Sequence, residues 1–318
     1  MQEFLDNYEL KITNYELFSC ICQKKAVILQ GKKNGGMVKW WNGGMVKWWN
    51  GEMTKSPEEI ETEQLRTRLT RRFHKACAEY GLIADGDHIL IGLSGGKDSL
   101  ALVELLGRRA KIYKPRFSVT ALHVRVKERD YRSDISYLES FCREAGVPLL
   151  VRDTEIGGQS SGANYPAGGA GQENPCFLCS WYRRKTLFNT AQELGCNKIA
   201  FGHHRDDILE TMLMNLIYQG AFATMPPLLQ MDKMPLQIIR PLCLIDEADL
   251  IRYAELRRYG KQPKLCPFEH VSARDRVKTL IRDIKALNPE APDTMFAALT
   301  NIKTEYLPKS AIGSPVDR

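Results

Sequence analysis

A strand, a glycine-rich turn and a helix follow one another around residue 95, and this order constrains the fold more than any other feature. The strand covers residues 87–93, the turn is Ser94-Gly95-Gly96-Lys97-Asp98-Ser99, and residues 100–106 form a helix that should end at Gly107. Glycines allow backbone amides to approach a phosphate, and the helix dipole favours negative charge at this end. The sequence therefore predicts a phosphate-binding loop, with a tight turn that binds nothing as the alternative.

Further strands and helices alternate along the chain, which predicts a parallel sheet. Residues 117–124, 147–151 and 198–202 are the strands, and a helix over residues 134–145 should be closed by Gly146. Alternating strands and helices form βαβ units, whose ligands bind at the carboxyl ends of the strands. We predict an α/β fold, a Rossmann-like parallel sheet with helices on both faces and extra helices at the N- and C-terminal ends.

The fourth of these strands leads into a polar run, Gly202-His203-His204-Arg205-Asp206-Asp207. Because the run follows a strand and opens a helix, it should lie at the same sheet edge as the glycine-rich turn. Asp206 and Asp207 offer the hard oxygen ligands that Mg²⁺ prefers, or they cap the helix and complement its dipole. The two histidines are adjacent and point in different directions, which argues against a zinc site formed by the pair.

Nine cysteines are too sparse for a disulfide framework, but three of them are candidate metal ligands. Cys176 and Cys179 are spaced i and i+3 on a helix predicted to run to Leu194, so their thiols share one side. Cys266, in a later loop, can join them. The pattern alone leaves zinc, a redox dithiol, an iron–sulfur centre and chance open, and His270 would complete a zinc site with the three. Four cysteines lie in apolar contexts and are expected in the core: Cys77, Cys142, Cys196 and Cys243.

Together these motifs resemble the PP-loop enzymes of the ATP-pyrophosphatase superfamily, and among them the tRNA 2-thiocytidine synthetase family. The resemblance rests on Ser-Gly-Gly-Lys-Asp-Ser-Leu, Cys-x-x-Cys-Ser, Gly-His-His-Arg-Asp-Asp-Ile-Leu-Glu-Thr and Met225-Pro226-Pro227. It covers roughly residues 59–307. It implies an adenine-nucleotide fold with ATP on the loop and Mg²⁺ near Asp206 or Asp207.

The resemblance also implies an activity, that of an ATP-dependent tRNA sulfurtransferase. The C2 carbonyl of a tRNA cytidine is adenylated with release of pyrophosphate, and sulfide bound at an open iron then displaces AMP. The family holds this iron in a [4Fe-4S] cluster, whose ligands here would be Cys176, Cys179 and Cys266. The sulfur comes from a cysteine persulfide made by a cysteine desulfurase.

Individual residues receive roles from the same resemblance. The expected catalytic residues are Lys97, Asp98, Asp206, Asp207 and Arg183. The expected ATP-binding residues are Ser94, Gly95, Gly96, Lys97, Asp98, Ser99, His123 and Gly202. Two alternatives stay open, since His123 also fits a half-buried structural histidine and Arg183 with Arg184 also fits a solvated basic face.

Basic residues on two helices favour tRNA as the partner, and the net charge of +7 permits one. One helix should begin at a capping box formed by Ser56 and Glu59 and run to about Tyr80. The other lies near the C-terminus and repeats basic residues at helical spacing. Such faces can follow tRNA phosphates, and a solvated surface helix has the same pattern. The predicted tRNA-binding residues are Arg71, Arg72, Arg184, Arg274, Lys278 and Arg282.

The first 52 residues differ from the rest of the chain, because residues 34–41 and 42–49 are the same eight-residue unit. Three interpretations stay open: an aromatic arm that stacks on nucleic acid, low-complexity sequence without a fold, or translated upstream DNA with the true start at Met53. We predict that residues 1–52 are a disordered or spurious repeat tail. Residues 53–318 should then be a PP-loop domain with basic terminal helices.

Composition excludes several classes of protein. Charged residues make up 26% and apolar residues 43% of the chain, and no apolar run of about 18 residues occurs, so we expect no membrane span. No secretory signal is visible, which predicts a reducing cytoplasm. The rival functions are lysidine synthesis, 2-thiouridine synthesis and a non-catalytic zinc or iron–sulfur RNA-binding module. The oligomeric state is open, with a homodimer as one option.

Overall fold

The chain divides into two units, Met1–Glu63 and Gln64–Arg318. The computed structural model describes residues 15–21, 26–31, 36–42, 45–50, 56–127, 134–155, 175–260 and 273–308. Within these ranges, no helix has both the length and the apolar composition that crossing a bilayer requires.

Four strands of the first unit form an antiparallel sheet in chain order. They are β1 (Tyr15–Ile21), β2 (Ala26–Gly31), β3 (Gly36–Asn42) and β4 (Met45–Asn50). The two copies of the repeat pair with each other as β3 and β4, with Trp40 opposite Lys47. Valine and tryptophan favour strands, which accounts for this pairing. The sequence did not predict these four strands. The domain boundary at residue 52 stays a prediction.

Helix α1 (Pro57–Glu79) begins at the predicted capping box. The Ser56 N–H donates to Glu59 Oε2 at 2.7 Å, and the Glu59 N–H donates to Ser56 Oγ at 3.2 Å. These two bonds satisfy backbone donors that a helix start leaves unpaired. The buried side of the helix is apolar and consists of Leu65, Leu69, Phe73 and Ala76.

A six-stranded sheet in the order β7-β6-β5-β8-β10-β9 forms the centre of the second unit. Its strands are β5 (His88–Gly92), β6 (Ser118–Val126), β7 (Leu149–Thr154), β8 (Lys198–Ala200), β9 (Leu228–Gln230) and β10 (Gln237–Ile239). Only the edge pair β9 and β10 is antiparallel among these strands. The four predicted strands are confirmed, whereas β9 and β10 were missed because three residues are too few for a periodic pattern.

Helices cover both faces of this sheet, which confirms the predicted fold class. Ile89 and Ile91 of β5 lie in one apolar cluster with residues of the helices after β5 and β6, whereas Leu90 lies in another with Leu187. The helices are α2 (Lys97–Ala110), α3 (Ile135–Ala145), α4 (Pro175–Glu193), α5 (Arg205–Gln219), α6 (Glu247–Leu256), α7 (Ala273–Leu287) and α8 (Ala291–Ala298).

The prediction that Gly107 ends helix α2 is wrong, because the helix continues to Ala110. A Cβ at Gly107 would lie 2.6 Å from the backbone oxygen of Ala145, so glycine is needed there for the close approach of helix α3. Gly146, by contrast, closes helix α3 with a φ of 74°, as predicted.

Candidate functional site

A cavity of about 530 Å³ lies at the carboxyl ends of β5, β6 and β8. Its wall combines the glycine-rich loop, the polar run after β8 and one side of helix α4. The carboxyl ends of the strands are where parallel sheets bind their ligands. The predicted site residues that line it are Ser94, Asp98, Ser99, Cys179, Arg183, Arg184, Gly202 and Asp207. The fold therefore brings together phosphate-loop, carboxylate, thiol and guanidinium groups that are up to 113 positions apart in sequence, because 207 − 94 = 113.

The glycine-rich loop holds its shape through its own serines. Ser94 Oγ and Ser99 Oγ lie 3.1 Å apart, the Gly96 N–H donates to Ser94 Oγ at 3.3 Å, and the Ser99 hydroxyl donates to the Gly96 carbonyl at 2.9 Å. Gly95 has a φ of +85°, a conformation that favours glycine. The first N–H groups of helix α2 follow at once, and such groups lack partners inside a helix. This is the geometry of an anion site.

Gly202 brings the second motif against this loop. A Cβ at Gly202 would lie 3.0 Å from the carbonyl carbon of Asp98 and 3.1 Å from the Ser99 nitrogen. The two motifs are therefore in direct backbone contact. Asp98 Oδ1 is buried and has no hydrogen-bond partner in the described part of the chain.

Lys97 does not line the cavity but is held by two carboxylates beside it. Its Nζ lies 3.2 Å from Asp98 Oδ2 and 3.1 Å from Glu247 Oε1. Burial opposes the charged form of Lys97, but these carboxylates outweigh it and raise the pKa. Sequence reasoning missed Glu247, since a glutamate at the start of a helix has no signal that distinguishes it from an ordinary N-terminal acid.

The two aspartates of the polar run have different places. Asp207 lines the cavity and caps helix α5, where the His204 N–H donates to Asp207 Oδ2 at 3.1 Å. Asp206 is buried away from the cavity wall; its Oδ2 accepts the Glu247 N–H at 2.8 Å, and its Oδ1 lies 3.2 Å from Lys285 Nζ. Burial raises the pKa of Asp206, but the Glu247 N–H and Lys285 outweigh it and lower the pKa overall. Of the two carboxylates, Asp207 lines the cavity and Asp206 does not.

Three histidines surround the site, and they differ in whether they line the cavity. His123 is 1% exposed, and its Nδ1–H donates to the Leu93 carbonyl at 2.8 Å, so it fixes the start of the loop without lining the cavity. Burial lowers its pKa. His203 lines the cavity, and burial lowers its pKa to about 4, so it is neutral at physiological pH. His204 caps helix α5.

Two of the predicted tRNA-binding residues on helix α7 contact the protein's own carboxylates. Arg274 Nε donates to Glu210 Oε2 at 2.7 Å, and Lys278 Nζ lies 3.7 Å from Glu210 Oε1. Glu210 is 1% exposed, and burial outweighs both cations, so its pKa is raised. Arg282 is exposed, with its guanidinium donating to Thr279 at 2.9 Å. One side of the basic helix therefore packs inward, whereas Arg282 presents its charge to solvent.

The basic residues of helix α1 divide in the same way. Arg72 is partly buried and pairs with Asp246, whereas its neighbour Arg71 is exposed. On helix α4, Arg184 is exposed beside the cavity. Sequence spacing identified the basic faces but did not separate the residues that pair internally, because pairing depends on tertiary contacts.

The cysteines separate into core residues and candidates for the site. Cys142, Cys196 and Cys243 are buried and Cys77 is partly buried, which agrees with the prediction for these four. Burial raises the pKa of the Cys142 and Cys196 thiols to about 11, so they are not thiolates at neutral pH. Cys179 lines the cavity, and Cys176 precedes it by three residues in the first turn of helix α4.

The remaining candidate ligands, Cys266 and His270, lie outside the described residues. Among the residues that the structure does describe, no group of three His, Cys, Asp or Glu side chains is arranged to hold a metal ion. A zinc site formed by the histidines of the polar run therefore has no third ligand there.

Known proteins are similar to the part of the chain that carries these motifs. A model of the PP-loop domain matches residues 65–260. The tRNA-cytidine(32) 2-sulfurtransferase of Paraburkholderia xenovorans (strain LB400) is 36% identical over 251 residues, which cover 79% of this chain and 73% of that protein. The protein of the same name from Neisseria meningitidis serogroup C (strain 053442) is 36% identical over 256 residues, 80% of this chain and 77% of that protein.

A solved structure agrees with these relatives. The U34-tRNA thiolase NcsA from Methanococcus maripaludis, determined with its [4Fe-4S] cluster, superposes with a TM-score of 0.60 and 25% identity over 79% of this chain and 84% of that one. The chain therefore belongs to the PP-loop domain family and, within it, to the tRNA-cytidine 2-sulfurtransferases.

Proposed function

We propose that this protein is an ATP-dependent tRNA sulfurtransferase that converts cytidine 32 of tRNA to 2-thiocytidine. The observation that carries the proposal is one cavity lined by the phosphate loop, Asp207 and Cys179. Activation by ATP and delivery of sulfur need these groups around one substrate atom. Position 32 is taken from the names of the relatives at 36% identity.

The first half of the reaction uses the phosphate loop. The loop amides and the hydroxyls of Ser94 and Ser99 bind the phosphates of ATP, and Lys97 neutralises part of their charge. The C2 carbonyl oxygen of cytidine attacks the α-phosphorus, the bond to the β-phosphate oxygen breaks, and pyrophosphate leaves. The product is an O-adenylated base whose C2 carries a good leaving group.

Mg²⁺ fits the carboxylates of this cavity. Asp98 Oδ1 is a buried oxygen without a partner within the described residues, and Asp207 lines the same space. Carboxylate oxygens together with substrate phosphates are the ligands that Mg²⁺ usually takes. In this proposal Asp98 and Asp207 hold the ion, and Asp206 positions helix α6 through the Glu247 N–H.

The second half of the reaction replaces oxygen by sulfur. A sulfide sulfur forms a bond to C2, the C2–O bond breaks, and AMP departs with that oxygen. Arg183, in the cavity wall, faces the space that AMP occupies and stabilises its phosphate. The proposed source of sulfur is a cysteine persulfide made by a cysteine desulfurase. A thiol reductant attacks its inner sulfur, a disulfide forms, the S–S bond of the persulfide breaks, and the outer sulfur leaves as sulfide.

In this proposal three cysteines hold a [4Fe-4S] cluster. Cys176 and Cys179 lie in the first turn of helix α4, where the helix dipole favours thiolates, and Cys266 is the proposed third ligand. When bound with three thiolates, such a cluster supplies an open iron coordination site for sulfide. We also propose a cytoplasmic location, where tRNA and reduced thiols coexist.

The test is thiolation of tRNA in vitro. Anaerobically purified protein with ATP, Mg²⁺, a persulfide donor and a thiol reductant should form 2-thiocytidine at position 32, detected by mass spectrometry of nucleosides. Lys97→Ala should lose most of this product, whereas Lys111→Ala, at the exposed end of the same helix, should not. Thiolation without ATP consumption, or modified uridine instead of cytidine, would contradict the proposal.

Metal analysis tests the cluster separately. The wild type should contain about four irons and four sulfides. Cys176→Ser, Cys179→Ser and Cys266→Ser should each lose iron, whereas Cys142→Ala, which removes a core thiol, should retain it. A colourless protein with stoichiometric zinc would identify the rival metal site instead.

A further inference from the structure

Helix α4 carries two aromatic and three basic side chains in one consecutive run beside the cavity, Trp181 to Lys185. Ser180, Arg183 and Arg184 line the cavity, so this run flanks its wall. The rings of Trp181 and Tyr182 meet edge to face, with centroids 4.9 Å apart and planes at 86°. Lys185 Nζ lies 5.2 Å from the centre of the Trp181 ring. Both rings are partly exposed.

The part of the chain that the structure describes does not neutralise the three cations of this run. Within the described residues, Arg183, Arg184 and Lys185 have no carboxylate within ion-pair distance. Arg274 and Lys278, by contrast, pair with the buried carboxylate of Glu210. Three consecutive uncompensated cations beside a cavity indicate a polyanionic partner, because exposed positive charge of this density attracts phosphates.

We propose that Trp181 is a stacking platform for an unpaired base of the tRNA anticodon loop, next to the cytidine that enters the cavity. This inference rests on the proposed function. An enzyme that acts at C2 must take the target base out of its stack, and the neighbouring base then loses a stacking partner. An indole ring flanked by cations replaces that partner, since loop bases stack on aromatic side chains while basic groups hold the backbone.

Lys185 has a defined part in this arrangement. It covers a face of the indole in the free protein, and the base takes that face in the complex while Lys185 turns to a phosphate. The exchange is favourable because a cation–π contact at a partly exposed site is weaker than stacking of a nucleobase. The Tyr182 ring packs against the indole with its plane nearly perpendicular.

The test compares binding of an anticodon stem–loop RNA with binding of a fully paired duplex of equal length. Trp181→Ala should weaken stem–loop binding about tenfold, the loss expected for one stacked base, and leave duplex binding unchanged. Trp181→Phe should remain within about threefold of the wild type, because a phenyl ring still stacks. Tyr113→Ala is the matched control: Tyr113 is exposed and has Arg116 4.5 Å from its ring, but it lies outside the run that flanks the cavity.

Two further measurements make the result decisive. Affinity for a non-hydrolysable ATP analogue should be unchanged in Trp181→Ala, which shows an intact fold. The stem–loop should quench the tryptophan fluorescence of the wild type more than that of Trp181→Phe. This comparison does not depend on a variant with a truncated side chain. Equal stem–loop affinity of wild type and Trp181→Ala, or equal quenching in wild type and Trp181→Phe, would overturn the platform. If the wild type still thiolates tRNA in that case, the proposed function stands; a wild type that neither binds nor thiolates tRNA overturns both.

Discussion

Lys97 is the lysine proposed to bind the phosphates of ATP, and its ammonium group is already paired inside the protein. Asp98 and Glu247 share its ammonium group, so an incoming phosphate has to displace a carboxylate. We predict that Glu247→Gln tightens binding of a non-hydrolysable ATP analogue about threefold, or about 0.7 kcal/mol. The substitution releases Lys97 from one of its two carboxylates, and it removes a negative charge beside the proposed position of the phosphates. Calorimetric titration measures this affinity.

Glu255 provides the matched control for this experiment. It lies on the same helix, is exposed, and pairs with Arg252 at 3.4 Å. Glu255→Gln should leave the affinity unchanged. Weaker binding by Glu247→Gln would show that Glu247 orients Lys97 toward the phosphates rather than competing with them.

Gly202 tests the contact between the two motifs. A methyl group there has to displace the backbone of Asp98 and Ser99, which start helix α2. Gly202→Ala should therefore lower the free energy of unfolding by about 1–3 kcal/mol, as overpacking usually does. It should also weaken ATP-analogue binding, because the loop amides move. A variant with wild-type affinity and wild-type unfolding would show that the contact is looser than the structure gives.

For single residues, the sequence predicted the chemical type of the site better than it predicted which side chains pair with each other. It predicted Ser94, Asp207 and Cys179 as site residues from their types and spacing, and the fold places all three in the wall of one cavity. It did not predict that Lys97 contacts Glu247 or that Arg274 contacts Glu210, since these residues are far apart in the chain. Pairing of charges is decided by tertiary structure, which periodicity does not report.

Among the elements, helix α7 is attached to helix α5 by charge as well as by apolar packing. Val277 and Ile281 pack with Leu209 and Met212, while Arg274 and Lys278 neutralise Glu210. The predicted basic face is present, but Arg274 and Lys278 on it pair with an internal carboxylate. This attachment places α7 beside the start of α5, which carries Asp207.

Arg274→Ala should destabilise the protein, because it leaves the buried carboxylate of Glu210 with one distant cation. We expect a loss of about 1–2 kcal/mol in the free energy of unfolding, less than for a fully buried pair since Arg274 is partly exposed. Denaturant titration measures it. The double variant Arg274→Ala with Glu210→Gln should recover part of the loss, and Arg282→Ala should be neutral. No recovery in the double variant would rule out the unpaired charge as the cause.

The buried carboxylate of Glu104, on helix α2, makes the folding stability of the protein depend on pH. Its carboxylate is buried and accepts the hydroxyls of Tyr253 and Tyr259 at 2.7 and 2.8 Å, with Arg108 and Arg257 nearby. Burial raises its pKa, but these four partners outweigh it and the pKa lies below its usual 4.5. A lowered pKa in the folded state stabilises the protein above pH 4.5, and this contribution is lost as the pH falls through the lowered value.

Glu104→Gln tests this contribution. At pH 7 the variant should unfold more easily than the wild type, because an amide cannot accept from two hydroxyls and pair with arginines as a carboxylate does. The difference in unfolding free energy should shrink below pH 4.5. A difference that is constant between pH 7 and pH 3 would mean that Glu104 contributes by packing rather than by charge.

For the whole molecule, the sequence predicted the architecture of the second unit and left the first unit open. Buried strands, a glycine loop and helix caps are local signals, so they specify a parallel α/β fold with its site at one sheet edge. The three-residue strands β9 and β10 carry no such signal and form only because the sheet pairs with them. The continuation of helix α2 through Gly107 likewise depends on a neighbouring helix.

The native N-terminus is the remaining whole-chain prediction. If residues 1–52 are translated upstream repeat DNA, the natural protein begins at Met53. Peptide mass spectrometry of the protein from its own cells should then find an N-terminal peptide starting at Met53 or Thr54. A peptide that contains Trp40 would contradict this start.

The order of strands in the sheet also determines when the cavity can form during synthesis of the chain. Strands β5, β6 and β7 are neighbours in both sequence and sheet, so residues 88–154 can pair as they leave the ribosome. β8 adds to the free edge of β5 only after more than 40 further residues, since Thr154 ends β7 and Lys198 begins β8. Until then the phosphate loop lacks the wall that Gly202 and Asp207 provide. A nascent chain therefore completes half of its sheet before it can bind a nucleotide as proposed, and ATP would stabilise only the later stage of its folding.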